Sequence, residues 1–480
     1  MSVAELTAGV LGRATASPLL AVGAGFIDLT PVWLKDFAIR RFGSNDKLVL
    51  LLGLGAGVVV AAFVIGLLAR RRLWWGLAGL ALFGAVATFA AMTRPTARLV
   101  DAVPGLVGAA AGMAALFPLT RSATGDVDRR RLLLGGAGVA AVAAGSAMGG
   151  RFLLARRNVA AARRAVRLPA PSSRALPVPA GAQVRLPGMT TFTTPNPGFY
   201  RVDTALTLPQ VDPDDWTLRI HGMVERPIEI TFDELLRRPL TERDITLSCV
   251  SNEVGGTLAG NARWLGAPLA ALLREARPRA GADQILSRSA DGMTLSTPLQ
   301  TVLDGRDALL AVAMNGEALP IRHGFPARLV VPGLYGYVSA TKWVVDLKIT
   351  RFATDQAYWT RRGYAERAPV KTFSRIDVPK PFARVKAGRV AIAGTAWAQH
   401  RGVDAVEWQV DDGPWRRAEL APVPGLDTWR QWVAEWNATP GPHTLRVRAT
   451  DGTGATQPED RARPFPDGAT GWHSVVITVN

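Results

Sequence analysis

The sequence predicts a multi-domain fold: an N-terminal anchor of four transmembrane helices, a central α+β domain and a C-terminal β-sandwich. Three observations carry this reading. Apolar residues make up 48% of the 480-residue chain, and four runs, each close to the roughly 20 residues that cross a bilayer as a helix, all lie before residue 160. The charge is lopsided in the same place: residues 1–167 hold 20 Lys+Arg and 7 Asp+Glu, so 20 − 7 = +13 of the formal +17 net charge. Beyond the apolar runs, short helix and strand patterns alternate irregularly, and from about residue 371 strand patterns stand alone.

Taken in order, residues 1–46 are expected to form an interfacial segment. Pro31–Gly43 mixes Trp33, Leu34, Phe37 and Phe42 with Lys35, Asp36, Arg40 and Arg41, the composition of an amphipathic helix lying in the headgroup layer. The run Leu19–Leu29 is short for a full span and carries Asp28. Residues 47–154 form the membrane region, with spans at about 48–69, 73–92, 99–119 and 132–154. Gly and Ala are abundant in all four, as close packing of membrane helices requires. Gly53, Gly55 and Gly57 are read the same way, because no strand precedes them as a dinucleotide-binding loop would demand. The bases flank apolar runs, where they anchor helix ends to headgroups, so the high pI does not imply nucleic-acid binding. Asp101 is the only Asp, Glu or Lys in the spans, and none of the five histidines lies there. That excludes a transmembrane haem held by paired histidines and leaves no mark of an ion path.

The orientation signals conflict. Arg70–Arg72, Arg121 and Arg129–Arg131 place seven bases on one face, against thirteen on the other, and positive-inside counting would put the C-terminal part in the cytoplasm. Yet Asp128-Arg129-Arg130-Arg131-Leu132-Leu133-Leu134-Gly135-Gly136 resembles a twin-arginine export signal.

Residues 155–184 change character, with Arg pairs, Leu168-Pro169-Ala170-Pro171 and Pro177-Val178-Pro179, and are expected to be an extended, solvated tether. In residues 185–370, strands are expected at Trp216–Met223, Ile228–Thr231, Ile245–Cys249, Leu329–Val331 and Lys342–Thr350, the last split by Asp346. Helices are expected at Phe232–Arg238, with Thr231 and Glu234 as a capping box, and at Pro268–Arg274.

Cys249 is the only cysteine in the chain. It cannot form an intramolecular disulfide, so it is either an inert buried residue or a reactive or metal-binding thiol. Three stretches weigh on that choice. One runs from Cys249 through Gly260-Asn261-Ala262-Arg263-Trp264-Leu265-Gly266-Ala267-Pro268-Leu269. The second is His323-Gly324-Phe325-Pro326-Ala327-Arg328-Leu329-Val330-Val331-Pro332-Gly333. The third is Tyr335-Gly336-Tyr337, leading to Lys342-Trp343. In order and spacing the set resembles the sulfite-oxidase-type molybdopterin-dependent oxidoreductases, here as a membrane-anchored bacterial member, and the likeness covers residues 185–480. The resemblance implies that Cys249 is the catalytic thiolate ligand to molybdenum, a soft donor suited to a sulfur-bound metal, with the other sulfurs supplied by one pterin per metal. It implies cofactor contacts at Asn196, Tyr200, Arg201, Ser289, His323, Arg328, Ala340, Thr341 and Lys342, where the basic groups hold the pterin and its phosphate. Tyr335 and Tyr337 either line the pocket or pack as aromatics.

One departure bears on the substrate. Sulfite-oxidising members follow the cysteine with arginines that help bind the anion; here the residues are Val250-Ser251-Asn252-Glu253-Val254. A carboxylate near the pocket repels a dianion, which leaves sulfoxides, N-oxides and sulfite as the open classes.

Residues 371–480 hold strand patterns at Arg389–Ile392, Ala405–Val410, Trp429–Trp436, His443–Ala449 and Ser474–Val479. Trp397, Trp408, Trp415, Trp429, Trp432, Trp436 and Trp472 are expected to supply core bulk. Asp411-Asp412-Gly413 reads as a hairpin turn rather than a calcium site. The stretch is similar to the immunoglobulin-like domain of the same family, implying a possible homodimer.

The function expected is two-electron oxygen-atom transfer on a small molecule, with molybdenum-molybdopterin as cofactor and no haem or iron–sulfur cluster. Electrons then pass to or from a separate redox partner, cytochrome or quinone-linked. The alternative is a non-catalytic membrane-tethered binding or assembly module. Because the resemblance implies cofactor insertion into a folded enzyme in the cytoplasm, the twin-arginine reading favours a multi-pass plasma-membrane protein with its catalytic part on the extracytoplasmic side.

Overall fold

The computed structural model describes every residue except 32, 33, 35, 36, 38–40, 43–45, 122–128 and 157. The amphipathic helix expected over 31–43 falls largely on the excepted positions, as does Asp128 of the export-type segment; both lie outside the described residues. The chain divides into two compact units, Met1–Val159 with Thr204–Gln210, and Ala160–Asp203 with Val211–Asn480.

In the first unit, four helices are long and apolar enough to cross a membrane: Lys47–Arg71, Leu73–Met92, Leu99–Phe117 and Leu134–Leu154. Small residues set their packing where a Cβ would collide with a neighbour, as at Gly84 against Ala109. The described residues of the segment 1–46 are largely helical. They supply two short helices, Ser2–Leu11 and Pro18–Leu29, which pack onto the long ones. Gly9 meets the Gly150 backbone and Ala4 meets Gly108. Arg13 Nε donates to Asp101 Oδ1 at 2.7 Å, so the one acid of the spans is paired at the bundle edge. The close-packing reading of Gly53, Gly55 and Gly57 is corrected: among the described residues, no atom beyond their own stretch of helix lies within 4 Å of a Cβ built at any of them. Gly53 and Gly57 instead line an apolar hollow of about 240 Å³ with Leu19, Val22 and Phe83.

The second unit contains four sheets, of which the first and the last are mixed, each with one parallel pair, and the two between are antiparallel. The first has the order Ile228–Thr231, Thr217–Gly222, Val344–Thr350, Gln284–Ser289, Thr294–Pro298. Thr217–Gly222 runs parallel to Val344–Thr350, a pairing that joins residues more than a hundred positions apart. The break expected at Asp346 is a register shift between Val344 and Asp346. The helix Phe232–Arg237 starts at the predicted capping box, with Thr231 and Glu234 bonding reciprocally. In the second sheet, Thr241–Ser248 pairs with Ala259–Pro268, which pairs with Leu309–Met314. Leu309–Met314 also pairs with Arg328–Val330. Cys249 thus stands one residue past a strand end.

The C-terminal stretch forms a four-stranded and a five-stranded sheet. Ile392 and Trp432 of one face Trp408, Val447 and Ile477 of the other in a shared core. Trp397 and Trp429 belong instead to the main core of the second unit. Trp415 and Trp472 are only half-buried and stack edge-to-face at 4.8 Å beside Arg448. Asp411 caps the hairpin turn, accepting from Thr444 N and pairing with His443.

The tether expected over 155–184 is corrected as well. Residues 160–184 belong to the second unit. Arg163 donates to the carbonyls of Leu319 (2.7 Å) and Ala318 (2.5 Å) and pairs with Glu317. Val166 and Leu168 pack on the core, and Ser173 bridges to Thr241. A Pro-rich segment lacks strand partners along most of its length, yet its apolar side chains still gain from burial.

Candidate active site

The site gathers at the ends of three segments. The strand Thr241–Ser248 delivers Cys249, which is 8% exposed. The stretch 321–328 delivers His323 and Arg328, and 335–342 delivers Tyr335, Gly336 and Lys342. Gly324, at φ 111°, makes their approach possible. A Cβ there would sit 3.0 Å from Arg328 Cβ and 3.1 Å from Lys342 Cα and Cβ, besides being strained at that φ. Gly336 ties the third segment to the first: a Cβ built on it would lie 3.7 Å from both the Ser248 carbonyl and the Tyr200 hydroxyl.

Arg328 is the most informative group. It is 3% exposed, and its recorded bonds go only to carbonyls: His323 O at 3.1 Å, with Ala340 O and Leu329 O at 3.4 Å. Its guanidinium lies 5.0 Å from the Trp264 ring centroid. Among the described residues no carboxylate is recorded against it, and burial lowers its pKa to about 10. A guanidinium held dry without an anion is costly unless the site receives one.

His323 is fully buried. Its Nε2 lies 3.1 Å from the Asn196 carbonyl, which can only accept, so Nε2 carries the proton. Burial, and then the neighbouring Arg328, hold its pKa down to about 3, leaving a neutral ring. Among the described residues its Nδ1 is a buried acceptor without a partner, and the Ser248 hydroxyl oxygen is likewise without one. A donor-bearing heterocycle and an anionic group would satisfy Nδ1 and Arg328 together. The residues present therefore fit a pterin with its phosphate.

Lys342 donates to Val202 O at 3.0 Å and Asp203 Oδ2 at 2.9 Å. Arg201 grips the same carboxylate through two bonds of 2.7 and 2.9 Å. Burial, opposed by Asp203, brings Lys342 down to about 8. Asp203 is a site residue the sequence reading missed: it lies in no motif, and only the fold brings it against Lys342.

Burial pushes the Cys249 thiol up, opposed by hydrogen bonds from Ser251 and by the Lys342 charge. The phenols of Tyr200 and Tyr335 are both raised, chiefly by burial, and Tyr335 is raised further by the Asp467 carboxylate. Both stay protonated across physiological pH. The Tyr335 hydroxyl oxygen, Oη, accepts from Lys371 N at 3.4 Å. Tyr337 turns elsewhere, donating to Ala365 O and packing on Tyr364; of the two tyrosines it is the one that serves as aromatic packing.

The other expected contacts separate. Asn196 spends its amide on Glu317 and Met314 O, accepts from Asn315, and presents its carbonyl to His323. Ala340 offers its carbonyl to Arg328. Thr341 bonds Ser287 at 2.6 Å. Ser289 lies two residues further along, and its hydroxyl accepts from Asp291 N in the hairpin turn, a turn-forming role. Glu253 is exposed.

A family model described as the oxidoreductase molybdopterin binding domain matches residues 205–359. The mitochondrial sulfite oxidase of Rattus norvegicus is 30% identical over 274 residues, 48% of this chain and 49% of that protein. The chain thus spans about half the length of that relative. The uncharacterized oxidoreductase YuiH of Bacillus subtilis (strain 168) is 31% identical over 153 residues, 32% of this chain and 74% of that protein. Among solved structures, the sulfane dehydrogenase SoxCD of Paracoccus pantotrophus is similar with a TM-score of 0.53 and 27% identity, covering 62% of this chain and 85% of that one.

Proposed function

Because this chain belongs to the sulfite-oxidase-type molybdopterin-dependent oxidoreductases, we propose that it is a membrane-anchored enzyme moving one oxygen atom to or from a small sulfoxide, N-oxide or sulfite-class substrate. The observation that carries the reading is Arg328, a buried cation with only carbonyls around it, set beside Lys342 and His323 and close to the single cysteine. Arg328 and His323 would hold the pterin and its phosphate, and Cys249 would bind molybdenum as thiolate, a metal lowering the raised thiol pKa outright. The bound group supplies the two-electron chemistry. Tyr200 and Tyr335, kept as phenols, offer hydrogen-bond donors to a substrate oxygen. Asp203 holds Arg201 and Lys342 at fixed positions. Oxygen removal consumes two electrons and two protons, and oxygen gain by the substrate releases them; the electrons pass to or from a separate redox protein or quinone-linked partner.

Glu253, in place of an anion-binding arginine, favours neutral substrates over sulfite. The C-terminal sheets are read as an immunoglobulin-like, self-pairing domain. The four long helices are read as a plasma-membrane anchor, with the second unit on the extracytoplasmic side after twin-arginine export. Metal and pterin analysis of the purified full chain, with a dye-linked screen of sulfite, sulfoxides and N-oxides, tests the reading. The expected result is about one molybdenum and one pterin per chain. A metal-free protein from molybdate-replete cells overturns it and leaves a binding module.

A further inference from the structure

The loop between the strands Thr241–Ser248 and Ala259–Pro268 starts at Cys249 and is closed at its base by Cys249 N donating to Leu258 O at 2.9 Å. Inside it, Asn252 Oδ1 accepts from Leu258 N at 2.8 Å, and Gly256 N donates to Glu253 O at 2.8 Å. These bonds shape the loop but do not fix its tip. The tip is held from the C-terminal sheets. Arg375, 4% exposed, donates from one terminal nitrogen to Gly256 O at 2.8 Å and from the other to Thr190 Oγ1 at 3.0 Å. Its Nε donates to Asp377 at 3.0 Å, and Asp377 in turn accepts from Thr395 at 2.6 Å. The guanidinium lies 5.7 and 5.9 Å from the Trp397 and Trp429 ring centroids. Each of the three guanidinium nitrogens donates one bond, so the group has little freedom to shift.

His473 is the second contact. Its Nδ1 accepts from Ile376 N at 2.9 Å, which orients the ring. The ring then lies flush against Gly255, where any Cβ would collide with it. The strand leading to Cys249 is held from the same side: Gln399 Nε2 donates to Thr246 O at 2.9 Å and Trp429 N to Thr246 Oγ1 at 2.7 Å.

We propose that Arg375 and His473 are positioning residues, through which the C-terminal sheets fix the Cys249–Leu258 loop and thereby the direction of the Cys249 sulfur and the place of Glu253. The C-terminal sheets then act on the active site directly, whether or not they pair subunits. The meaning of this for catalysis rests on Cys249 being the metal ligand, but the restraint itself does not, and the two are tested apart.

Cys249 is the only thiol in the chain, so every maleimide adduct reports on this loop. The experiment follows N-ethylmaleimide incorporation into the cofactor-free full chain, with the thermal midpoint measured alongside. Opening of the loop sets the rate at a buried thiol, and Arg375→Gln and Gly255→Ala are each expected to label about tenfold faster than the parent. Arg375→Lys, which keeps the charge but not the fork, is expected to fall between. The pair Gly255→Ala with His473→Ala removes the collision but keeps the strain of an alanine at φ 77°, and is expected to label at least about threefold more slowly than Gly255→Ala alone. Should Arg375→Gln fail to fold, the glycine–histidine cycle carries the test by itself. Parent-like labelling in Arg375→Gln and Gly255→Ala, or a double variant as fast as Gly255→Ala alone, overturns the proposal. Molybdenum content of the parent reports separately on the ligand role.

Discussion

Arg328 shows how a single residue can separate folding from loading. Its buried charge meets carbonyl dipoles and an aromatic face, not an acid. Replacing a buried unpaired ion with an apolar side chain of similar length is often neutral or stabilising. Arg328→Met is therefore expected to leave the cofactor-free midpoint within about 1 kcal/mol of the parent while abolishing retention of pterin and molybdenum. Differential scanning fluorimetry and metal analysis on the same sample check both halves. Cys249→Ala is expected to keep the fold and lose molybdenum, since the buried thiol otherwise packs as a small apolar group. The histidines give a pH dependence whose sign is fixed by burial. His323 and His473 are lowered from 6.5 to about 3 and about 4, first by burial and then by Arg328 and Arg375 respectively. Both are neutral in the fold, so their contribution is complete above 6.5 and is lost as the pH falls from there toward 3–4. Thermal midpoints measured between about pH 4.5 and pH 8 are expected to be flat at the upper end and to decline below, with a shallower decline in His323→Gln.

Elements, not single contacts, decide where these residues meet. Asn261 is fully buried in the strand Ala259–Pro268. It accepts from Thr246 Oγ1 at 3.0 Å on the neighbouring strand and donates to Phe192 O at 3.1 Å on the segment that carries Tyr200 and Arg201. It thus locks three site-bearing segments together. Asn261→Ala is expected to lower unfolding stability by about 1–3 kcal/mol, the cost of stranding buried partners, read from denaturant midpoints at constant slope. Much of this layout was legible beforehand. A strand ending at Cys249, a capped helix at Thr231 and a break at Asp346 all follow from local pattern. Asp203 was not legible, because an acid between Val202 and Thr204 has no local signal of a site role, and the partner that places it there, Lys342, lies 139 positions away. The parallel pairing of Thr217–Gly222 with Val344–Thr350 was hidden for the same reason. Residues 160–184 misled because proline-rich composition reports missing backbone partners and says nothing of side-chain docking, such as that of Arg163 on Leu319.

At the scale of the whole molecule the open choice is topological, and two physical signals oppose each other. If the four apolar runs span a bilayer in sequence order, thirteen bases fall on the side of the C-terminal part and seven on the other, a count that favours holding the C-terminal side in the cytoplasm. A cofactor enzyme folded before translocation requires export through a route that a twin-arginine signal provides. The single cysteine makes the question measurable. Cys249 is 8% exposed and is expected to react slowly, whereas the Asp412 side chain is 93% exposed in a hairpin turn of the C-terminal sheets. Asp412→Cys removes only a surface ion pair with Arg446, worth about 0–1 kcal/mol, and places a reporter on the second unit without touching the site. A membrane-impermeant maleimide added to intact cells is expected to label this variant as fully as it does after lysis, and the parent hardly at all. Labelling that appears only after lysis would show that the arginine count prevails, and the electron partner would then be sought among cytoplasmic reductants. Labelling from outside would direct the search to exported cytochromes or to the quinone pool, because the electrons must be exchanged on the side where the second unit lies.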